Sequence, residues 1–115
     1  MIRVPYDPRP AKRYRATLAE WEWFRTWFAS QTCWVCGGPW QELHHILARS
    51  RGGDDDILNL APVCRECHRR IEAHDPYARA QIRHALMPSN LGYLEGKVHD
   101  ALAWLQRNYP LEAAA

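Results

Sequence analysis

Cys33-Trp-Val-Cys36-Gly-Gly-Pro-Trp-Gln-Glu-Leu-His44-His45 opens a segment that closes with Asn59-Leu-Ala-Pro-Val-Cys64-Arg-Glu-Cys67-His68. Two residues between cysteines let both sulfurs of a pair meet one tetrahedral ion, and two such pairs complete a four-sulfur shell. Cys33, Cys36, Cys64 and Cys67 are all the cysteines of the 115-residue chain, so none is left over. In a reducing compartment such pairs favour metal over disulfide, and zinc is the expected ion. Four thiolates leave no open position, so this zinc is structural: it joins the two ends of the segment between the pairs. Gly37 and Gly38 suit the first turn, where backbone amides must approach the sulfurs closely.

Between the pairs, Trp40 to Leu47 reads as a short strand and Ser50 to Asp56 as a loop around Gly52-Gly53. Leu58 to Val63 reads as a second strand, which Pro62 confines to an edge or an end. Arg65 to Ala73 reads as a helix. Asp54, Asp55 and Asp56 are adjacent. Spaced ligands hold a cation better, so this run is expected to be a solvated loop.

Outward from the segment, Thr17 is a predicted N-cap with Glu20 three residues on. Leu18, Trp21, Phe24, Trp27 and Phe28, with Trp23 beside them, form a wide aromatic stripe whose helical spacing predicts core, not base stacking. Asp75-Pro76 starts a helix that carries Ile82 and Leu86 inward and stops before Pro88. Leu91, Leu94, Val98, Ala101 and Leu105 predict one last helix to about Asn108, weakened by Gly92 and Gly96. The expected fold is α+β: a small zinc-stapled finger flanked by one N-terminal and two C-terminal helices. A basic extended arm is expected over 1–16, one domain over 17–109 with its core motif at 33–73, and a disordered tail over 110–115.

A net charge of +2 alone predicts no partner, but its distribution is uneven. Arg3, Arg9, Lys12, Arg13 and Arg15 crowd the first fifteen residues; Arg49 and Arg51 follow the histidine pair; Arg65, Arg69 and Arg70 surround the last cysteines. Such clusters suit a phosphate backbone, and they equally suit solvated surface. No stretch approaches the apolar length needed to span a bilayer, and Met1 to Arg15 carries no apolar leader region. A cytoplasmic protein without a membrane partner is expected.

An adjacent histidine pair, an asparagine fourteen residues on and a histidine nine further, all inside the cysteine frame, resemble the HNH endonuclease family. The resemblance covers Cys33 to about Ala73 and extends to the Gly52-Gly53-Asp54 loop. It implies a ββα-metal fold and a nuclease acting on DNA with a second, catalytic divalent ion: Mg²⁺, Mn²⁺ or a transition metal. It implies His45 as general base, His44 and His68 as ligands of that ion, and Asn59 as the central asparagine of the motif. Small proteins of this family serve phage genome packaging, restriction, homing or toxicity, so a phage or restriction assembly is an expected setting.

The chemistry of the residue types agrees. A histidine with a near-neutral pKa can take a proton from water at physiological pH. Adjacent strand residues point to opposite sides, so His44 and His45 can serve metal and water separately. Asn59 can neither ionise nor act as a base; its expected work is orienting, by bonds to backbone. Glu72 lies one helical turn after His68, where some family members place a third ligand, and is either that ligand or a surface partner of Arg69. Glu42 shares a strand face with His44 and is either a partner that supports the ligands or, as expected, a rim residue. Contacts to the nucleic-acid backbone are expected from Arg49, Arg51, Arg69 and Arg70, while His74, His84 and His99 read as ordinary surface or helix residues. The competing reading is a catalytically silent zinc knuckle that binds nucleic acid or protein; it leaves the four motif residues unexplained. A zinc deaminase is excluded, because it needs an open zinc position that four cysteines close.

Overall fold

The structure, a computed structural model, describes residues 12–111. The expectations for Arg3, Arg9 and the Ala113 to Ala115 tail lie outside them. In chain order the elements are α1 (Leu18–Trp27), β1 (Glu42–His45), β2 (Leu60–Val63), α2 (Arg65–Glu72), α3 (Pro76–Ala85), α4 (Pro88–Lys97) and α5 (Ala101–Asn108). Single 3₁₀ turns cover Arg49–Arg51 and Ile57–Asn59. This is the α+β finger expected, two antiparallel strands followed by a helix.

β1 and β2 pair with His45 opposite Leu60, His44 opposite Ala61, Leu43 opposite Pro62 and Glu42 opposite Val63. A two-stranded ribbon has only edges, which is where proline is tolerated. Both strands are shorter than their apolar runs. After His45 the Ile46 N–H still reaches the Asn59 carbonyl at 2.8 Å, but the Leu47 N–H is taken by the Asn59 side chain, also at 2.8 Å. The ladder ends there. Upstream of Leu60, the Asp56 carboxylate accepts the Leu58 N–H at 2.8 Å and winds Ile57–Asn59 into the 3₁₀ turn.

α1 starts at the capping box: the Thr17 hydroxyl accepts the Glu20 N–H, and the Glu20 carboxylate accepts the Thr17 N–H. Its aromatic stripe is only partly core. Phe24 and Phe28 are buried with Leu60, and Trp21 packs against them. Leu18 is 85 % exposed, and Trp23 and Trp27 are about half exposed, their rings 5.6 Å apart. Six large apolar positions in eleven residues give a stripe wider than the one face a short ribbon can cover.

The C-terminal stripe also departs from expectation: three helices follow the finger, not two. Val98 is extended (φ −122°, ψ 149°), so the apolar repeat from Leu91 to Leu105 is divided between α4 and α5. Gly96 and β-branched Val98 are poor helix formers, and the Asp100 carboxylate accepts the Ala103 N–H at 3.0 Å as a new N-cap. At the other end of α4, Asn90 accepts the Met87 N–H and donates to the Leu58 carbonyl, both at 2.8 Å, fixing α4 to the finger. One buried cluster runs through Val35, Ile46, Leu47, Val63, Ile71, Ile82, Leu94, Leu105 and Tyr109, so finger and helices share a core. Among the described residues no helix is long and apolar enough to cross a membrane.

Glycine 53 shows how tightly the loop is drawn against the strand. A Cβ there would lie 1.7 Å from the Leu47 carbonyl oxygen and 2.9 Å from Asn59 Nδ2. Gly53→Ala is therefore expected to destabilise the protein by about 3 kcal/mol. Gly92→Ala, whose Cβ meets nothing within 4 Å on α4, should instead stabilise by roughly 0.5–1 kcal/mol. Denaturant melts of the two variants check both signs.

Candidate active site and metal centres

The first site is the cysteine cluster. Cys33 Sγ, Cys36 Sγ, Cys64 Sγ and Cys67 Sγ all lie within 4.8 Å of one another, and Cys36 and Cys64 are 3.8 Å apart. A tetrahedral ion with 2.3 Å bonds to sulfur needs a spacing of about 3.8 Å, so the donor set fits zinc. Amides support the sulfurs: Val35 N–H points at Cys33 and Cys67 N–H at Cys64. Burial raises the Cys33 thiol pKa, but the backbone N–H groups of Cys36, Cys64 and Val35 win and hold it at about 7. Gly37 turns the first pair with φ +78°, a left-handed conformation that costs glycine nothing. The Trp34 N–H donates to the Pro62 carbonyl and seats this turn on β2.

The second site is a cleft of about 750 Å³ between β1, the Arg49–Arg51 turn, α2 and the end of α5. His44, His45, His68 and Glu72 line it. The two strand histidines have opposite neighbours. His44 is buried, its ring 5.2 Å from that of His68. His45 faces Trp21 of α1 and Asp55 of the loop.

Potential ligand atoms of His44, His68 and Glu72 lie within 4.8 Å of one another. The hydrogen bonds determine which nitrogens are free. His68 Nδ1 lies 2.8 Å from Glu42 Oε1, and a carboxylate only accepts, so Nδ1 carries a proton and Nε2 is the nitrogen left to face an ion. That Nε2 is 3.3 Å from Glu72 Oε1. The bond to His68 is also the first cause of the lowered Glu42 pKa. Burial, reinforced by His68 and Arg79, pushes His44 down to about 3, so its imidazole is neutral, as a metal ligand must be. Two imidazoles and a carboxylate are a donor set suited to a divalent ion.

Glu42, partly exposed at the rim, also orients His68. Arg69, the alternative partner of Glu72, pairs with Glu66 instead. The aspartate run is not a solvated loop either, because each carboxylate is committed. Asp54 accepts from the Tyr14 N–H, Tyr93 Oη and Lys97 Nζ. Asp56 caps the 3₁₀ turn. Asp55 is buried, and its Oδ1 receives His45 Nε2 at 2.8 Å and Arg13 at 2.7 Å, while Oδ2 receives the Ala16 N–H at 2.9 Å. Burial raises the Asp55 pKa, but these donors outweigh it and keep Asp55 ionised. Desolvation lowers the His45 pKa more than Asp55 raises it, so His45 stays neutral. With its Nε2–H given to Asp55, its Nδ1 is the nitrogen that can accept a proton.

Asn59 is fully buried and spends its amide on backbone: Oδ1 accepts from Leu47 N–H, and Nδ2 donates to the Leu47 and Asp54 carbonyls at 3.0 and 3.1 Å. It ties the residues after His45 to the loop that carries Asp55. Arg49 and Arg51 line the cleft, joined by Arg79 and Arg107 from the helices. Arg69 and Arg70 do not; short-range pairing commits them to Glu66 and Asp75. His84 and His99 are exposed, but His74 lines the cleft at the end of α2 with φ +60°. Residues 12–16 are not a free arm, since Arg13, Tyr14 and Ala16 all bond the Gly53–Asp55 loop.

A ββα finger closed by four thiolates, with a histidine–carboxylate cluster at its strand–helix junction, defines a zinc-finger-like metal-site protein. Its central segment is more specific: residues 33–74 match the family model described as HNH endonuclease. The match spans a little over a third of the chain and leaves α1 and the whole of α3, α4 and α5 outside it. HNH segments are nuclease segments, so nuclease chemistry is the general class to which this site points. No curated protein and no solved structure shows significant similarity to the chain.

Proposed function

We propose that the chain is a metal-dependent endonuclease that hydrolyses DNA phosphodiester bonds. One observation carries the reading: His44 and His45, adjacent on β1, divide their partners between an ion-ready cluster and a buried carboxylate, yet open on one cleft. His45 is the general base. Its Nδ1 takes the proton of the attacking water as the new P–O bond forms and the bond to the 3′ oxygen breaks. Asp55 holds the Nε2–H tautomer that leaves Nδ1 free, and Asn59 fixes the backbone that carries both. A divalent ion bound by His44, His68 and Glu72 would supply Lewis acidity to a phosphoryl oxygen and to the departing 3′ oxygen. Arg49, Arg51 and Arg107 are positioned along the cleft to meet neighbouring phosphates, contacts that read no sequence.

Supercoiled plasmid incubated with Mg²⁺, Mn²⁺, Co²⁺ or Ni²⁺ tests this. Nicked or linear product from the parent, lost in His68→Ala, is expected. DNA binding without cleavage in any metal would reduce the chain to a binding module.

Glu72 sharpens the same experiment. Partners that merely orient a ligand are worth about tenfold or more in activity, and a direct carboxylate ligand should matter at least as much. Mg²⁺ prefers oxygen, so Glu72→Ala is expected to lose about tenfold or more in Mg²⁺ and less in Co²⁺ or Ni²⁺. Glu72→His should move the preference toward the transition metals. Equal cleavage by Glu72→Ala and the parent in every metal would leave a two-histidine site.

A further inference from the structure

We infer that Tyr109, at the end of α5 and outside the family segment, is a positioning residue of the catalytic-ion site: it selects Nδ1 of His44 as the ligating atom. The inference rests on the functional reading above, and on a hydrogen-bond chain that leaves one solution. Tyr109 Oη lies 2.7 Å from the Ile46 carbonyl and 2.8 Å from His44 Nε2. A phenol has one proton, and a carbonyl oxygen can only accept, so that proton goes to Ile46. The phenol oxygen must then accept from His44, which places the imidazole proton on Nε2. Nδ1 is the lone pair that remains for an ion.

The alternative tautomer would set an unprotonated Nε2 against a phenol whose only proton is already committed. At 2.8 Å two lone pairs would face each other in a site where water has little access, since both side chains are buried.

Tyr109 is itself held from two sides. The Arg79 guanidinium lies over its ring at 5.2 Å, and Arg79 Nη1 bonds the Asn108 carbonyl at 2.8 Å. Arg83 Nη1 donates to the Tyr109 carbonyl. Trp104 packs at 5.8 Å between ring centroids. α3 and α5 thus place one phenol against one imidazole. His68 is treated alike, its Nδ1–H held by Glu42 so that Nε2 is free. Both imidazoles therefore have their proton pinned on the side away from the ion, one from β1 and the other from a helix the family segment does not include.

Tyr109→Phe removes only the oxygen. His44 loses the acceptor that fixes its ring and its tautomer, so Mn²⁺ and Co²⁺ should bind roughly tenfold to a hundredfold more weakly by titration calorimetry on the zinc-loaded protein. Zinc content should stay unchanged. His68→Ala is the reference that removes a ligand outright. Unchanged affinity in Tyr109→Phe beside a loss in His68→Ala overturns the positioning role alone. No second-ion binding by the parent, or equal binding by His68→Ala, overturns the site reading itself. Nitrogen-15 spectra of histidine-labelled parent, freed of the second ion, give a test that needs no variant to fold: His44 must show the Nε2–H tautomer, and an Nδ1–H tautomer overturns the inference.

Discussion

Serine in place of Cys64 is expected to release the zinc and unfold the finger. Cys64 contributes twice: its sulfur completes the four-thiolate cluster, and it accepts the Cys67 N–H as N-cap of α2, a cap that a serine hydroxyl can keep, so the substitution removes the metal ligand alone. Structural zinc binds finger peptides with apparent free energies of about 10–16 kcal/mol, while whole domains are stable by about 5–15 kcal/mol, so its loss rivals the total. Here the cysteines are not an appendix to the core, since Cys33 and Cys67 belong to the cluster that includes Leu94 and Leu105. Opening the knuckles removes the floor of the helical layer as well. Elemental analysis should read about one zinc per parent chain and almost none in Cys64→Ser. The variant's Tm should fall by on the order of 10 °C or more, if a cooperative transition survives. A parent protein that is metal-free and fully folded would end the zinc reading.

The sequence was informative where one residue type admits one solution. Four cysteines in two pairs, the Thr17–Glu20 box and the Asp75-Pro76 helix start each specify local geometry through bonds within a few residues. It was less informative where the outcome depended on what lay opposite. Trp23 and Trp27 have the spacing of core residues, but α1 meets a two-stranded ribbon that covers only Phe24, Phe28 and part of Trp21. The division between α4 and α5 was readable at Asp100, a cap residue next to a weak helical stretch, yet the continuing apolar repeat concealed it.

The candidate site follows the same division. His44, His45, Asn59, His68 and Glu72 stand out by their spacing, and the fold gathers them within one finger. The groups that orient them did not stand out. Asp55 sits in a run of three aspartates, and nothing local distinguishes the buried one; its burial comes from Arg13 and Ala16, some forty residues away. Tyr109 reaches His44 across sixty-five positions. The available signal was indirect: an imidazole with work to do needs its second nitrogen occupied. That rule directs a search for carboxylates and phenols, and tertiary structure alone identifies them.

That dependence makes the His45–Asp55 pair the sharpest test of catalysis apart from folding. His45→Ala is expected to lose cleavage by on the order of a hundredfold or more, the usual scale of a missing general base. Zinc content should stay at the parent value, because His45 bonds neither the thiolates nor the His44–His68–Glu72 cluster. The variant does leave Asp55 without one of its donors, but Arg13 and the Ala16 N–H still hold that carboxylate. The stability cost should therefore be modest, about 1–3 kcal/mol. Asp55→Asn separates the two roles further. An amide oxygen facing His45 still accepts the Nε2–H, whereas an amide nitrogen facing it donates and drives the proton to Nδ1, removing the base. Arg13 needs an acceptor at the same Oδ1 position, and so does the Ala16 N–H at Oδ2. An amide offers one oxygen and cannot serve both, and in either orientation it lacks the charge that stabilises the imidazolium formed when His45 takes the proton, so Asp55→Asn should lose activity through kcat while KM for plasmid stays near the parent's. If His45→Ala keeps near-parent turnover, proton removal must be assigned to another group, and His74, the remaining histidine lining the cleft, is the first to substitute.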